Sequence, residues 1–121
     1  MTAPLSRQAL RAIESARRER SVYVSAISIW ELAMIVLRKR FELDRPVRKW
    51  VEAALEPPDI QLLPLSPEIA IEAAELPDPM YKDPADRMIV ASARVEHLVL
   101  ITCDKPMLAF AKATGLACVE G

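Results

Sequence analysis

Apolar positions along this chain occur either at helical spacing or in short continuous runs, and turn residues separate the two kinds of segment. Residues three and four apart share one face of a helix, whereas short β-branched or apolar runs are typical of strands. The pattern predicts helices at 6–20, 28–40, 45–55, 66–76, 83–96 and 105–115. It predicts strands at 22–27, 60–65, 98–102 and 116–120, and a loop at 77–82.

Capping residues support several of these boundaries. Ser66 and Asp83 precede predicted helices, and Pro67 and Pro84 follow them at the first helical position. Serine and aspartate accept hydrogen bonds from free amides at a helix start, where proline loses nothing by lacking an N–H. Gly115 ends the helix at 105–115, as expected for a residue that readily adopts the left-handed conformation.

The alternation of strands and helices predicts the fold class. Parallel strands need long crossover connections, usually helical, and these connections are right-handed. We therefore expect an α/β protein, an α/β/α sandwich in which helices cover a parallel sheet. A length of 121 residues suits a single domain, spanning 1–121.

Net charge and composition exclude several functions. The chain has 16 Lys and Arg against 17 Asp and Glu, so RNA binding would need a local basic patch, such as 38–40, or a bound cation. Its two cysteines lack zinc-type spacing. The longest apolar run, at 33–37, is far shorter than the roughly 20 residues that cross a bilayer, and the first residues do not resemble a secretory signal. We expect a cytoplasmic protein with no membrane partner.

Three acids follow or flank predicted strand ends. Glu31 comes after the strand at 22–27, Asp104 comes after the strand at 98–102, and Asp86 lies in the first turn of its helix. In a parallel sheet, ligands bind at the carboxyl edge of the strands. Carboxylates gathered there repel one another unless a cation neutralises them, and Mg²⁺ prefers such oxygen ligands together with phosphate. The pattern predicts a metal site that acts on a phosphodiester.

Each acid also has a purely structural interpretation. Ser28 and Glu31 fit a capping box, in which Glu31 reaches back to the Ser28 amide. Asp83 and Asp104 fit helix caps, and Asp86 fits a residue that complements the helix dipole. The sequence alone leaves these alternatives open for each residue.

The segments VSAISIWELAM (24–34) and DPADRMIVASARVEHLVLITCDKPML (83–108) together resemble the PIN-domain ribonucleases, specifically the VapC-type toxins of toxin–antitoxin pairs. The resemblance extends from Leu5 onward and includes the motifs D-P-x-D-R-x-I-V-A-x-A and L-I-T-x-D. It implies a PIN-like, Rossmann-like fold, Mg²⁺- or Mn²⁺-dependent cleavage of RNA, an antitoxin partner and a homodimer.

The resemblance also assigns residues to the site. It matches Glu31, Asp86 and Asp104 to the family's metal-binding catalytic acids. Asp83 matches the first acid of its motif and is expected to cap the helix. Ser28 and Thr102 match hydroxyl positions that support the carboxylates, and Arg87 is expected to pair with a nearby acid or to contact RNA phosphate.

One family feature is not found in this sequence. PIN domains begin with a central apolar strand that ends in an aspartate, but here no Asp precedes Asp44. A late start codon, a truncated gene or a degenerate relative would each explain this difference. We expect a sheet without its first, central strand, in which the backbone groups of the neighbouring strands lose their partner.

Two other functions remain open at this stage. A catalytically impaired PIN remnant would act as an antitoxin-binding or dimerisation module through the apolar helix at 28–40 and the Trp50 face. A phosphoryl-handling protein of receiver or phosphatase type would also gather acids at strand ends. The expected Asp after a first strand and a late lysine are not evident for that class.

Overall fold

A computed structural model of the chain describes residues 5–77 and 83–121. The helices in these ranges are α1 (Arg7–Arg18), α2 (Ala26–Leu37), α3 (Val47–Ala54), α4 (Pro67–Glu75), α5 (Pro84–Val95) and α6 (Lys105–Thr114). The strands are β1 (Val22–Ser25), β2 (Ile60–Leu63), β3 (Leu100–Thr102) and β4 (Cys118–Glu120). All ten predicted elements are present, nine of them within the predicted ranges and α2 beginning two residues earlier, which confirms the α/β class. The predicted loop lies outside the described residues except for Pro77.

The strands pair in parallel, as the alternating order predicts. Strand β1 pairs with β2, and Ser25 lies opposite Leu63 at the end of this ladder. Strand β3 pairs with β4, and Leu100 lies opposite Cys118. Within the described residues these are two separate two-stranded sheets, and no ladder joins β1 to β3.

Helix α5 lies at the centre of the hydrophobic core. Val90 and Ala91 on this helix are fully buried, as is Ile69 on α4. Small residues such as Ala73 and Ala91 let α4 and α5 approach closely. A second cluster joins α5 to β3 and α6 and contains Leu76, Val90, Ala93, Leu100, Met107 and Phe110. The core therefore fixes α5 relative to the helices around it.

Three helices end in a left-handed residue that is not glycine. Arg20, Lys39 and His97 have φ angles of 54°, 58° and 55°, whereas Gly115 serves the same purpose at φ 74°. After each of these residues, the next amide bonds to a carbonyl five residues earlier, as in a Schellman motif. The basic side chains suit the negative end of the helix dipole, which offsets part of the backbone strain. His97 is thus a helix-terminal residue, as the sequence predicts.

Helix α2 is apolar on nearly all sides, yet none of its residues is fully buried. Leu37 is 74% exposed and Trp30 is 55% exposed. One side of the helix packs against β1, and another packs against α5. The exposed part of α2 is therefore a candidate for contact with other molecules. None of the described helices is both long enough and apolar enough to span a bilayer.

Candidate metal centre

Helix α2, which carries Glu31, begins earlier than the sequence predicts. Ser25, the last residue of β1, is the N-cap, and its hydroxyl accepts a hydrogen bond from the amide of Ile27 at 3.0 Å. Ser28 lies inside the first turn, so it cannot form a capping box with Glu31. That structural interpretation of Glu31 is wrong, and so is the prediction that the strand continues to residue 27. Glu31 lies in the second turn and has no role in capping.

The start of helix α5 places two further acids. Asp83 is the N-cap, and its carboxylate accepts hydrogen bonds from the amides of Ala85 at 2.8 Å and Asp86 at 3.4 Å. Pro84 occupies the first helical position. The predicted capping by Asp83 is confirmed. Asp86 lies in the first turn, where its charge also complements the helix dipole.

The packing of α2 against α5 brings Glu31 close to these two acids. Burial, followed by the negative charges of Asp86 and Asp83, raises the pKa of Glu31 above its ordinary value of 4.5. Burial and the charge of Asp83 raise the pKa of Asp86 above its ordinary value of 3.8. The negative charges of Asp86 and Asp83 therefore oppose the ionisation of Glu31. Mutual repulsion of this kind is relieved by a bound cation.

This repulsion has a consequence for stability. A carboxyl group with a raised pKa in the folded state favours its protonated form, so the protein loses stability as pH rises above the pKa of the unfolded chain. We expect Glu31→Gln to raise the melting temperature by a few degrees at pH 7 without divalent cation, a small effect because the group is partly solvated. The gain should disappear near pH 4, where Glu31 is largely protonated in both states. Calorimetry of both proteins across this pH range would contradict the expectation if the variant were less stable at pH 7.

Asp104 lies at the end of the turn that follows β3. One of its carboxylate oxygens accepts a hydrogen bond from the amide of Met107 at 3.1 Å, which confirms that it caps α6. The Thr102 hydroxyl accepts a hydrogen bond from the Asp104 amide at 3.1 Å. Thr102 therefore contacts the main chain of Asp104 and helps to fix this turn. The negative charges that raise the pKa of Glu31 are those of Asp86 and Asp83, and Asp104 is not among them. That Asp104 shares a cation site with Glu31 and Asp86 therefore stays a prediction.

Arg87, the residue after Asp86, connects α5 to the end of α4. Its guanidinium donates hydrogen bonds to the carbonyls of Ala73 at 2.9 Å, Ala74 at 3.3 Å and Leu76 at 3.2 Å. These carbonyls lie in the last turn and at the C-cap of α4, where the helix has no further amides to donate to them. This role was not predictable from the sequence, because the acceptors are main-chain atoms of another element. Arg87 thus fixes the helix start that carries Asp86.

A groove of about 530 Å³ extends from the acids along α2. Glu31 and Asp83 line it together with Arg38, and its remaining wall is largely apolar. The apolar lining residues are Ile27, Trp30, Met34, Ile35, Pro84, Ala85 and Met88. Arg38 was a candidate phosphate contact in the sequence, but the sequence did not reveal that Trp30 and Met88 would line the same groove.

The chemistry of these donors suits a hard divalent cation. Mg²⁺ is commonly held by one or two carboxylates, with waters and substrate phosphate completing its octahedral shell. Glu31 and Asp86 provide two partly buried carboxylates that repel one another without a cation. In residues 5–77 and 83–121, no three acid, histidine or cysteine side chains lie close enough to enclose an ion unaided. The arrangement fits an open site that needs other ligands to complete it.

Comparison with known proteins identifies the class to which this fold and site belong. The sequence profile of the PIN domain matches residues 2–114. The chain therefore belongs to the PIN-domain family, whose architecture is α/β/α. It is similar to ribonuclease VapC22 of Mycobacterium tuberculosis, with 36% identity over 101 residues that cover 84% of this chain and 74% of the relative. This relationship confirms the resemblance to VapC-type PIN domains.

Proposed function

We propose that this protein is a metal-dependent endoribonuclease toxin of a toxin–antitoxin pair, with Mg²⁺ or Mn²⁺ held by Glu31, Asp86 and Asp104. The observation that carries the proposal is the packing of α2 against α5, which brings Glu31 close enough to Asp86, distant in sequence, for the charge of Asp86 to raise the pKa of Glu31. A pair of carboxylates of this kind, in a member of the PIN-domain family, is most simply a metal site.

In this mechanism the side chains hold and orient the reacting groups. The bound cation would lower the pKa of a coordinated water and offset the charge on the phosphate. Glu31 and Asp86 would hold that cation, and Asp104, the N-cap of α6, is the third ligand that the sequence predicts. The hydrogen bonds of Arg87 keep the first turn of α5 in place, so the two carboxylates meet the substrate in a fixed geometry.

Asp104→Asn separates capping from catalysis. Asparagine caps helices about as well as aspartate, so the free energy of unfolding of the variant should lie within about 0.5 kcal/mol of that of the wild type. If Asp104 binds the cation, cleavage of single-stranded RNA with Mg²⁺ or Mn²⁺ should fall by at least about a hundredfold. Cleavage is followed on gels, with a chelator as the negative control. Unchanged cleavage by a stably folded variant would remove Asp104 from the site.

A second candidate function is the binding of an antitoxin or of a second copy of the chain, with or without cleavage. The exposed apolar side chains near the end of α2 and on α3 favour it, since Leu37 is 74%, Phe41 46% and Trp50 37% exposed. Surfaces of this kind are typical of protein contacts. Light scattering over a range of concentrations tests for a homodimer, and co-expression with the neighbouring gene product tests for an antitoxin.

A further inference from the structure

The groove beside the acids has an aromatic wall. Trp30 precedes Glu31 in α2, is 55% exposed and lines the groove together with Met34 and Met88. The indole is thus an exposed aromatic surface in the groove that Glu31 and Asp83 also line. Such surfaces bind nucleobases by stacking, which tolerates any base because every base has a π face.

The groove is lined by charges of both signs. Glu31, Asp83 and Arg38 all contribute to it. Arg38, the C-cap of α2, is about two turns from Glu31, or roughly 10 Å along the axis. A single-stranded nucleic acid would offer this groove a phosphate for Arg38 and a planar base for Trp30.

We propose that the groove binds single-stranded RNA next to the cleaved phosphodiester, with a base stacked on Trp30 and an adjacent phosphate on Arg38. This inference rests on the proposed nuclease function, because the cation at Glu31 and Asp86 attracts the first phosphate. Double-stranded RNA is excluded as the substrate, because its bases are already stacked and unavailable to the indole.

The charges of the groove favour RNA over an apolar protein segment. A helix without basic side chains would bury Glu31 and Asp83 without neutralising them, which is costly. A nucleotide would instead share the cation that the carboxylates would hold. The apolar surface around Leu37, Phe41 and Trp50 remains available for protein partners.

Tryptophan fluorescence tests the stacking directly, because the chain contains only two tryptophans. Trp50 is on α3, outside the residues that line the groove, so Trp50→Phe leaves Trp30 as the single emitter. The titrations are kept short to limit cleavage, and a gel checks the RNA after each one. The probes are a short single-stranded RNA and the same strand with abasic sites.

The expected result is quenching of Trp30 by the RNA and much weaker quenching by the abasic strand. Trp30→Ala should weaken RNA binding, measured by anisotropy, by about 5- to 100-fold, whereas Trp30→Phe should retain most of it. Arg38→Gln should reduce the slope of log affinity against log salt by about 0.7, the value for one phosphate contact on a single strand.

Three other outcomes are informative. If Trp30 is not quenched while the wild type cleaves RNA, the base subsite is overturned and the nuclease proposal stands. If Trp30 is quenched but the wild type does not cleave, the groove binds RNA and the nuclease proposal fails. If the emission of Trp30 changes with protein concentration in the absence of RNA, the groove binds a second copy of the chain, and the proposed base subsite is overturned.

Discussion

Asp86→Asn is expected to reduce metal-dependent RNA cleavage by at least about a hundredfold while making the protein without cation slightly more stable. Activity and stability are expected to change in opposite directions because the Asp86 carboxylate affects both. The carboxylate that would bind the cation is partly buried, and its pKa is raised by burial and by Asp83. Neutral asparagine removes both the free-energy cost of burying this charge beside Asp83 and the predicted metal ligand. Gel-based cleavage assays and thermal melts with and without Mg²⁺ measure the two effects.

Asp83→Asn is the matched control for this experiment. It removes a charge from the same turn, but asparagine keeps the cap on α5. We expect cleavage within about threefold of the wild type, since Asp83 uses its carboxylate for the amides of Ala85 and Asp86. Mg²⁺ should raise the melting temperature of the wild type and of Asp83→Asn more than that of Asp86→Asn. Equal stabilisation of all three proteins would count against a cation at Asp86.

Arg87→Ala is expected to lower the free energy of unfolding by about 2–3 kcal/mol, the largest stability effect in the site. The variant loses hydrogen bonds from a charged donor to three carbonyls at the end of α4. The side chain is half-buried, so water replaces these bonds only in part. Urea denaturation followed by circular dichroism measures the change. Arg87→Lys should recover only part of the loss, because an ammonium lacks the planar fork of donors.

Arg94→Ala provides the comparison on the same helix. Arg94 also bonds to α4, through Glu72 at 2.9 Å, but both side chains of this ion pair are about one-third exposed. Such pairs contribute little, so we expect a loss of less than about 1 kcal/mol. If Arg94→Ala destabilised the protein as much as Arg87→Ala, the main-chain hydrogen bonds of Arg87 would not be the source of its effect.

The sequence predicted helix starts well where a single capping residue was available. Ser66, Asp83 and Asp104 each cap the helix that follows them, as their positions predicted. The prediction failed at α2, where Ser25 and Ser28 are both plausible caps. The ladder with β2 ends at Ser25, opposite Leu63, and the helix begins directly after it. Pairing with a distant strand decided between two serines that local sequence treats as equivalent.

The candidate site was predicted less completely than the fold. The motif around Asp86 and the position of Glu31 suggested a pair of acids, which the packing of α2 against α5 brings close together, but the capping box was an alternative role for Glu31. The helix start at Ala26 removed that alternative. The bonds of Arg87 and the groove beside Trp30 were not predictable from the chain, because their partners are carbonyl oxygens and side chains of other elements.

The sequence by itself determined the order of the elements, the helix caps and the α/β class. These features depend on neighbours within about one helical turn, so a short window of residues contains the information. Only the tertiary structure decided that Glu31 meets Asp86, that Arg87 holds α4 and that a groove extends from the acids to Arg38. These features depend on how α2 and α4 pack against α5, and that packing is set by the shared core rather than by any one segment.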